Sequence, residues 1–321
     1  MNRNVTTPAG DKRPAEPALE PQWPDIVVSH QAWLAGRMEG VRANLRGITL
    51  SGRNAEGVDL SASAFRQVTW LEAQLDGADL TRASLEETDL RRSSLSGAVF
   101  MAAELEHVKL ERSWMSRANF NEVRLTECSL RHARIEDARF IEAKLAACDL
   151  SCVDAKRTAW NHAMLVECLL ASAVLDDTQW YRAKLDFCDF SRASAVGAVF
   201  QQARLHCCNF SGAQLANAKF SHADASRSNF SRAVLRGGDF RQANLSGAEL
   251  CGADLREARF GEAKLLASDL RGADLRGARE LTAMMLTQAR TDDRTVLPNG
   301  AQGPYTRFSG AERPTAAGHL G

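Results

Sequence analysis

Eight cysteines and seven histidines are the side chains best placed to do chemistry in this chain of 321 residues. Cys128, Cys148, Cys168, Cys188 and Cys208 recur at a spacing of 20. If that spacing is one turn of a coil, their Cα atoms stand about 4.8 Å apart, within disulfide range, and a thiol or metal ladder comes to mind. Five is an odd number, however, and the column continues as Val108 before the cysteines and Ser228 and Ala248 after them. The pattern fits a buried niche for a small side chain, with the thiol as an apolar filler. His132 and Cys152 share another column and could pair as base and nucleophile, but no third group orients the imidazole. His162 and His222 fall three coils apart, too far to share a metal. In His206-Cys207-Cys208 the side chains alternate outward and inward, so the two thiols diverge. There is no Gly-rich phosphate loop. The sequence therefore reads as non-enzymatic, with no catalytic residue, no cofactor site and no metal site.

The element that positions these residues is a repeat. Every fifth residue from Leu45 to Leu275 is a central position, 47 in all, and 43 carry Leu, Phe, Trp, Met or Ile. The exceptions are Ala55, Ala155, Ala195 and Ala225. Two residues before each centre stands a small side chain or Val at 45 of the 47 positions, Ile48 and Arg53 excepted. Neither the helical nor the strand period matches five, so the chain is a solenoid rather than a set of ordinary helices or strands. Taken by fours, the repeats show a second period. Phe100, Phe120, Phe140, Trp160, Trp180, Phe200, Phe220, Phe240 and Phe260 form one column, and Phe190, Phe210 and Phe230 part of another. Four repeats per coil would stack these rings in offset contact, worth about 0.5–1.5 kcal/mol per pair beyond burial. About twelve coils at strand spacing make a rod of roughly 55 Å.

Composition and the flanks bound the rest. Lys plus Arg and Asp plus Glu both number 40, so no global field favours nucleic acid or imitates it. All eight prolines lie outside the repeat, as a hydrogen-bonded ladder requires. Residues 1–24 read as a disordered Pro-rich leader and 25–40 as a capping helix. In that helix Asp25 is the N-cap, and Val27, Gln31, Leu34 and Met38 share a face with Trp33 beside it. The repeat occupies 41–279, a C-terminal cap with Thr282 as N-cap occupies 280–298, and a flexible Gly-rich tail fills 299–321. No apolar run is long enough to cross a bilayer, and MNRNVTTPAGDKRPAEP lacks the apolar stretch of a secretory signal. With free thiols, this reads as a soluble cytoplasmic protein, export without a signal peptide aside.

GADLTRASL at 77–85, GADLREARF at 252–260 and SDLRGADLRGA at 268–278 resemble the pentapeptide-repeat proteins, whose consensus is roughly A-[DN]-[LF]-x-x. The flanks HQAWL and LTAMMLTQARTDDRTVLP are similar to those of family members. The resemblance implies an all-β fold: a right-handed quadrilateral parallel β-helix with short helical caps. It further implies a rigid scaffold for protein–protein interaction, accessory to or exported by a bacterial secretion system, as some members with such flanks are. An alternative it carries is a DNA mimic that protects gyrase, which zero net charge and Arg interleaved with the acids disfavour.

On the surface, Arg91, Arg92, Arg112, Arg131 and Arg192 gather along one side and Arg236, Arg256 and Arg276 along another, offset by Asp89, Asp149, Asp189, Glu249 and Asp269. Nucleic-acid binders set stacking aromatics on a basic face, and here the aromatics point inward. The outward Asp or Asn of the consensus is often replaced within 101–200, as at Trp114. Met164, Val166, Leu169, Val174, Tyr181 and Phe187 occupy outward positions within two coils. An apolar cluster on a solvated rod marks an interaction surface. The expected partner is a protein of unknown identity or a second copy in a homodimer, with no nucleic acid, no membrane span and no small-molecule substrate.

Overall fold

Each fifth residue from the first coil onward takes a left-handed backbone conformation, and these corners give the chain its shape. The structure is a computed structural model describing residues 22–314. Corner residues such as Arg92, Arg157 and Asp177 have φ near 57–59° although they carry Cβ atoms, a conformation ordinarily left to Gly and Asn. On three of the four sides the corner is a β-turn, closed for example by the Ala78 amide on the Leu75 carbonyl at 3.0 Å and the Ala118 amide on Met115 at 3.0 Å. A positive φ at the third turn position is the signature of a type II turn.

Between corners the chain runs straight for about three residues and pairs with the coil above and below. Nine strands, β1 (Asn44–Arg46) to β9 (Arg204–His206), form one parallel sheet in sequence order, each in register with the residue 20 further on. The same register continues along this side through Asp224, Asn244 and Lys264. The other three sides are ladders of single bridges at 20-residue separation, such as Thr49 with Thr69, Asn54 with Gln74 and Asp59 with Asp79. The fold is a four-sided parallel β-solenoid. Side one holds the strands; sides two, three and four follow in chain order around each coil.

The core is the stack of central residues. Every one from Leu50 to Leu275 is at most 5% exposed. The aromatic column stacks as the spacing demands: Phe100 on Phe120 and Phe120 on Phe140 at 4.7 Å, Phe140 on Trp160 at 4.0 Å, and on through Phe240 on Phe260 at 5.4 Å, planes within 13° of parallel. Phe190, Phe210 and Phe230 form a second stack that meets the first edge to face, as where Phe210 meets Phe200 at 5.8 Å and 80°. Small residues at the intervening inward positions leave room for these rings. At Gly238 even a Cβ would lie 2.9 Å from the Leu235 carbonyl oxygen and 3.0 Å from the Phe240 ring.

The N-terminal helix differs from the sequence expectation. It is α1 (Trp23–Leu34), with Gln22 rather than Asp25 at its N-cap. Pro24 presets the helical φ of the first turn, and Asp25 lies inside that turn, near the positive end of the helix dipole. The buried face is Trp23, Ile26 and His30, while Trp33, Leu34 and Met38 are exposed. An apolar-stripe count passes over His30 because it is polar. Here its Nδ1 accepts from the Ala43 amide at 3.0 Å and its Nε2 pairs with the Ser61 carbonyl at 3.1 Å, so burial leaves no orphan. Trp23 meets Trp70 edge to face at 5.4 Å and donates its indole N–H to the Asn54 carbonyl. Helix α1 thus covers the first coils.

At the other end Thr282 caps α2 (Ala283–Gln288), accepting from the Met285 amide at 3.2 Å. Leu281, Met285, Leu286 and Leu297 are buried, and Arg290 and Val296 bridge Asp269 and Asp274, extending two ladders into the cap. The expected tail does not hang free over 299–314. Val296 pairs antiparallel with Gln302, Ala311 is buried, and the Tyr305 amide donates to Thr291 Oγ1 at 2.8 Å. Composition signalled flexibility, but Tyr305 and Ala311 supply apolar anchors that the Gly count hides. The leader up to residue 21, and residues 315–321, lie outside the described residues. Among the described residues no helix is long and apolar enough to cross a membrane.

Candidate functional site

The inside of the solenoid is used up by packing, so chemistry must sit outside. The cysteine column shows why. Cys128, Cys148, Cys168, Cys188 and Cys208 are buried, and four of them donate Sγ–H to a backbone carbonyl 23 residues earlier. Cys128 reaches the Leu105 oxygen at 3.4 Å and Cys208 the Leu185 oxygen at 3.3 Å. Thr88 and Ser228 make the same contact with hydroxyls, to Phe65 and Leu205. The niche takes a small side chain, and where that side chain carries a donor a backbone carbonyl accepts from it. Hydrogen bonding to the Cys148 and Cys188 sulfurs, then burial, holds the Cys168 thiol far above its ordinary value, so it remains protonated and inert.

His132 and Cys152 occupy successive rungs at the corner between sides two and three, where no hydrogen bond joins them among the described residues. Cys207 is half-buried and touches His206 Nε2 at 3.6 Å, whereas Cys208 is buried, so the two thiols face opposite ways.

The consensus Asp or Asn has a backbone task. Its side chain accepts from the amide two residues on, as Asp79 does from Thr81 at 2.8 Å and Asp149 from Ser151 at 2.9 Å. This Asx contact steers the chain into the corner. Where Arg follows at that second position the pair closes as a fork: Asp254 with Arg256, Asp269 with Arg271 and Asp274 with Arg276, each 2.6 Å at its shortest. The Arg271 guanidinium, outweighing partial burial, holds the Asp269 carboxyl at about 2. Other charges pair rung to rung at a separation of 20, as Arg66 with Glu86 and Arg157 with Asp137 at 2.7 Å.

Of the six apolar candidates the structure brings four together. Met164 and Val166 flank Leu165 on side one; Val166 is in register with Asp186, next to Phe187 at the corner; Leu169 follows on side two. Their exposures are 38%, 39%, 57% for Phe187 and 45% for Leu169. Tyr181 is half-buried at the far edge of side one, edge to face with His162 at 5.8 Å, its hydroxyl bonded to Gln202 Oε1. Val174 is half-buried on side three and does not join the others. Proximity in sequence within two coils does not place residues on one side of the rod. Leu266, 59% exposed, and Val196 are further outward apolar residues, outside this cluster. Their positions in the repeat were the signal.

The family model for pentapeptide repeats matches in 8 copies, over residues 43–82, 78–117, 103–140, 115–151, 183–221, 208–247 and 243–279. The chain belongs to the pentapeptide-repeat family. Solved structures of similar fold include QnrB1, a plasmid-mediated fluoroquinolone resistance protein, at 21% identity over 55% of this chain and 81% of that one, TM-score 0.29. HetL, a pentapeptide repeat protein involved in heterocyst differentiation regulation from the cyanobacterium Nostoc sp. strain PCC 7120, is 26% identical over 85% of this chain and 96% of that one, TM-score 0.22. A pentapeptide repeat protein of the Arabidopsis thaliana thylakoid lumen is 27% identical over 37% of this chain and 83% of that one, TM-score 0.28. No functionally curated protein matches the chain in sequence.

Proposed function

We propose that this pentapeptide-repeat protein is a non-enzymatic scaffold, a stiff rod that holds a protein partner against its outer surface. The observation that supports it most is the run Met164, Val166, Phe187 and Leu169, exposed side by side around one corner of a rod whose inward positions are filled. The exposed parts of these side chains add nothing to this fold, because the centres beneath them are already buried; that area becomes favourable when a partner covers it. Tyr181 sits at the margin of that surface, and Val174, on side three, lies outside it. A narrower form of the reading, work beside or export by a bacterial secretion system, draws on the flanking segments His30 to Leu34 and Leu281 to Pro298 alone.

The test is capture from host lysate and light scattering in solution, with the wild type and with Leu169→Ser combined with Phe187→Ser. Both residues are exposed, so the variant should keep the wild-type circular dichroism and melting curve. Loss of a captured protein or of a dimer in the variant supports the scaffold surface. Unchanged association in the variant removes it.

A further inference from the structure

We infer that the corner between sides two and three carries a binding site for a phosphate-bearing small molecule, built from Arg91, Arg92, Arg112 and Arg131 with Glu111 and His132. These six side chains line a surface cleft of 360 Å³ on three successive coils. Two rungs span about 10 Å, wide enough for one or two tetrahedral oxyanions.

Three observations set this corner apart. The first is its stacking of like positive charges. At the next corner the rungs alternate Arg117, Asp137, Arg157, Asp177; at the corner between sides one and two His107 lies between Glu87 and Glu127; and at the corner between sides four and one Glu122 stacks on Glu142, like charges of the other sign. Here the rungs run Glu72, Arg92, Arg112, His132. Arg92 reaches Glu72 only at 3.5 Å, and Arg112, with a cation above it and an imidazole below, forms no ion pair among the described residues. Like charges one rung apart repel, and a bound anion would relieve that.

Second, the outer arginines are held in place. Asp89 grips Arg91 at 2.6 Å and Asp149 grips Arg131 at 3.0 Å, both from side two. Each guanidinium keeps unused donors, and a fixed fork loses less freedom when it binds a phosphate. Third, Glu111 Oε2 is buried without a hydrogen-bond partner among the described residues. It lies in the column between Arg91 and Arg131, acts on both only through space, and is an acceptor for a ligand hydroxyl or amino group. A second cleft on the same corner, lined by Arg232, Arg271 and Arg294, differs in its corner rungs: Gly252 and Gly272 follow Arg232 there, so no cation stacks on another at the corner itself.

Pyrophosphate titrated calorimetrically into the full chain at low ionic strength tests the site. The expected result is saturable binding of one equivalent, weakened about tenfold or more by Arg112→Gln and unchanged by Arg192→Gln, which removes a solitary cation from the same corner. Unaltered melting temperatures would exclude misfolding as the cause of a loss. No saturable binding, or equal weakening by both variants, overturns the site in favour of a diffuse charge effect. Displacement of pyrophosphate by a single-stranded oligonucleotide that binds more than tenfold tighter overturns the small-molecule reading as well.

Discussion

A single hydroxyl decides whether a tryptophan is satisfied in this core. The Trp160 and Trp180 indoles donate to Thr158 and Thr178, at 2.7 and 2.8 Å, and those hydroxyls donate in turn to the Ala155 and Leu175 carbonyls. Trp70 has Val68 at the same offset, and its Nε1 is buried without a hydrogen-bond partner among the described residues. Thr178→Val should therefore cost about 1–3 kcal/mol, whereas Val68→Thr should stabilise; denaturant midpoints of the two variants decide, and equal small effects would contradict the pairing. The thiols make a second test. Cys152, Cys207 and Cys251 are half-buried and the other five buried, so a thiol reagent should count three in the native chain and eight after unfolding. Reaction of all eight in the native state would contradict the inert ladder. Both patterns were legible at 20-residue spacing, because a coil places like residues in like niches. The hydroxyl-to-indole contact was not, since it needs the side-chain directions.

The helical caps show where sequence reading falters and why. A period of five repeated over a long chain averages away local exceptions, so the sides, the centres and the aromatic stacks followed from spacing. Helix α1 has only three turns, and its buried face was set by His30, which polarity rules place outside. Burial, opposed by the Ser61 backbone hydrogen bond, lowers the His30 pKa below its ordinary 6.5. Nδ1 must stay unprotonated to accept the Ala43 amide. The unfolded state binds that proton more readily, so the stability of the cap is present above about pH 6.5 and is lost as the pH falls through the depressed folded value. Histidine NMR should show His30 titrating below the ordinary range, with exchange protection of the Ala43 amide declining over the same interval. Titration at or above 6.5 would contradict the buried neutral ring.

As a whole the molecule is a rod whose interior is spent on packing and whose four sides are written by the outward residues. Side chains of opposite charge pair at a separation of 20 on side one and at the corner between sides three and four, which is part of why a net charge of zero hides local structure. Among the departures are the apolar run around Phe187 and the arginine corner around Arg112. The apolar run was visible in the sequence as outward positions with large side chains, but assigning it to one surface required the sides, and Val174 shows the cost of lacking them. The scaffold reading stands on that surface. The most direct measurement compares association of the wild type with variants that each polarise one apolar site: Leu169→Ser with Phe187→Ser, Val174→Ser, Leu266→Ser and, at the exposed Met284 of α2, Met284→Ser. The account predicts that the first alone abolishes partner capture or self-association, with all variants melting as the wild type does. Loss through Leu266→Ser or Met284→Ser, with the Leu169 and Phe187 variant still associating, would contradict it and move the interaction to the C-terminal end.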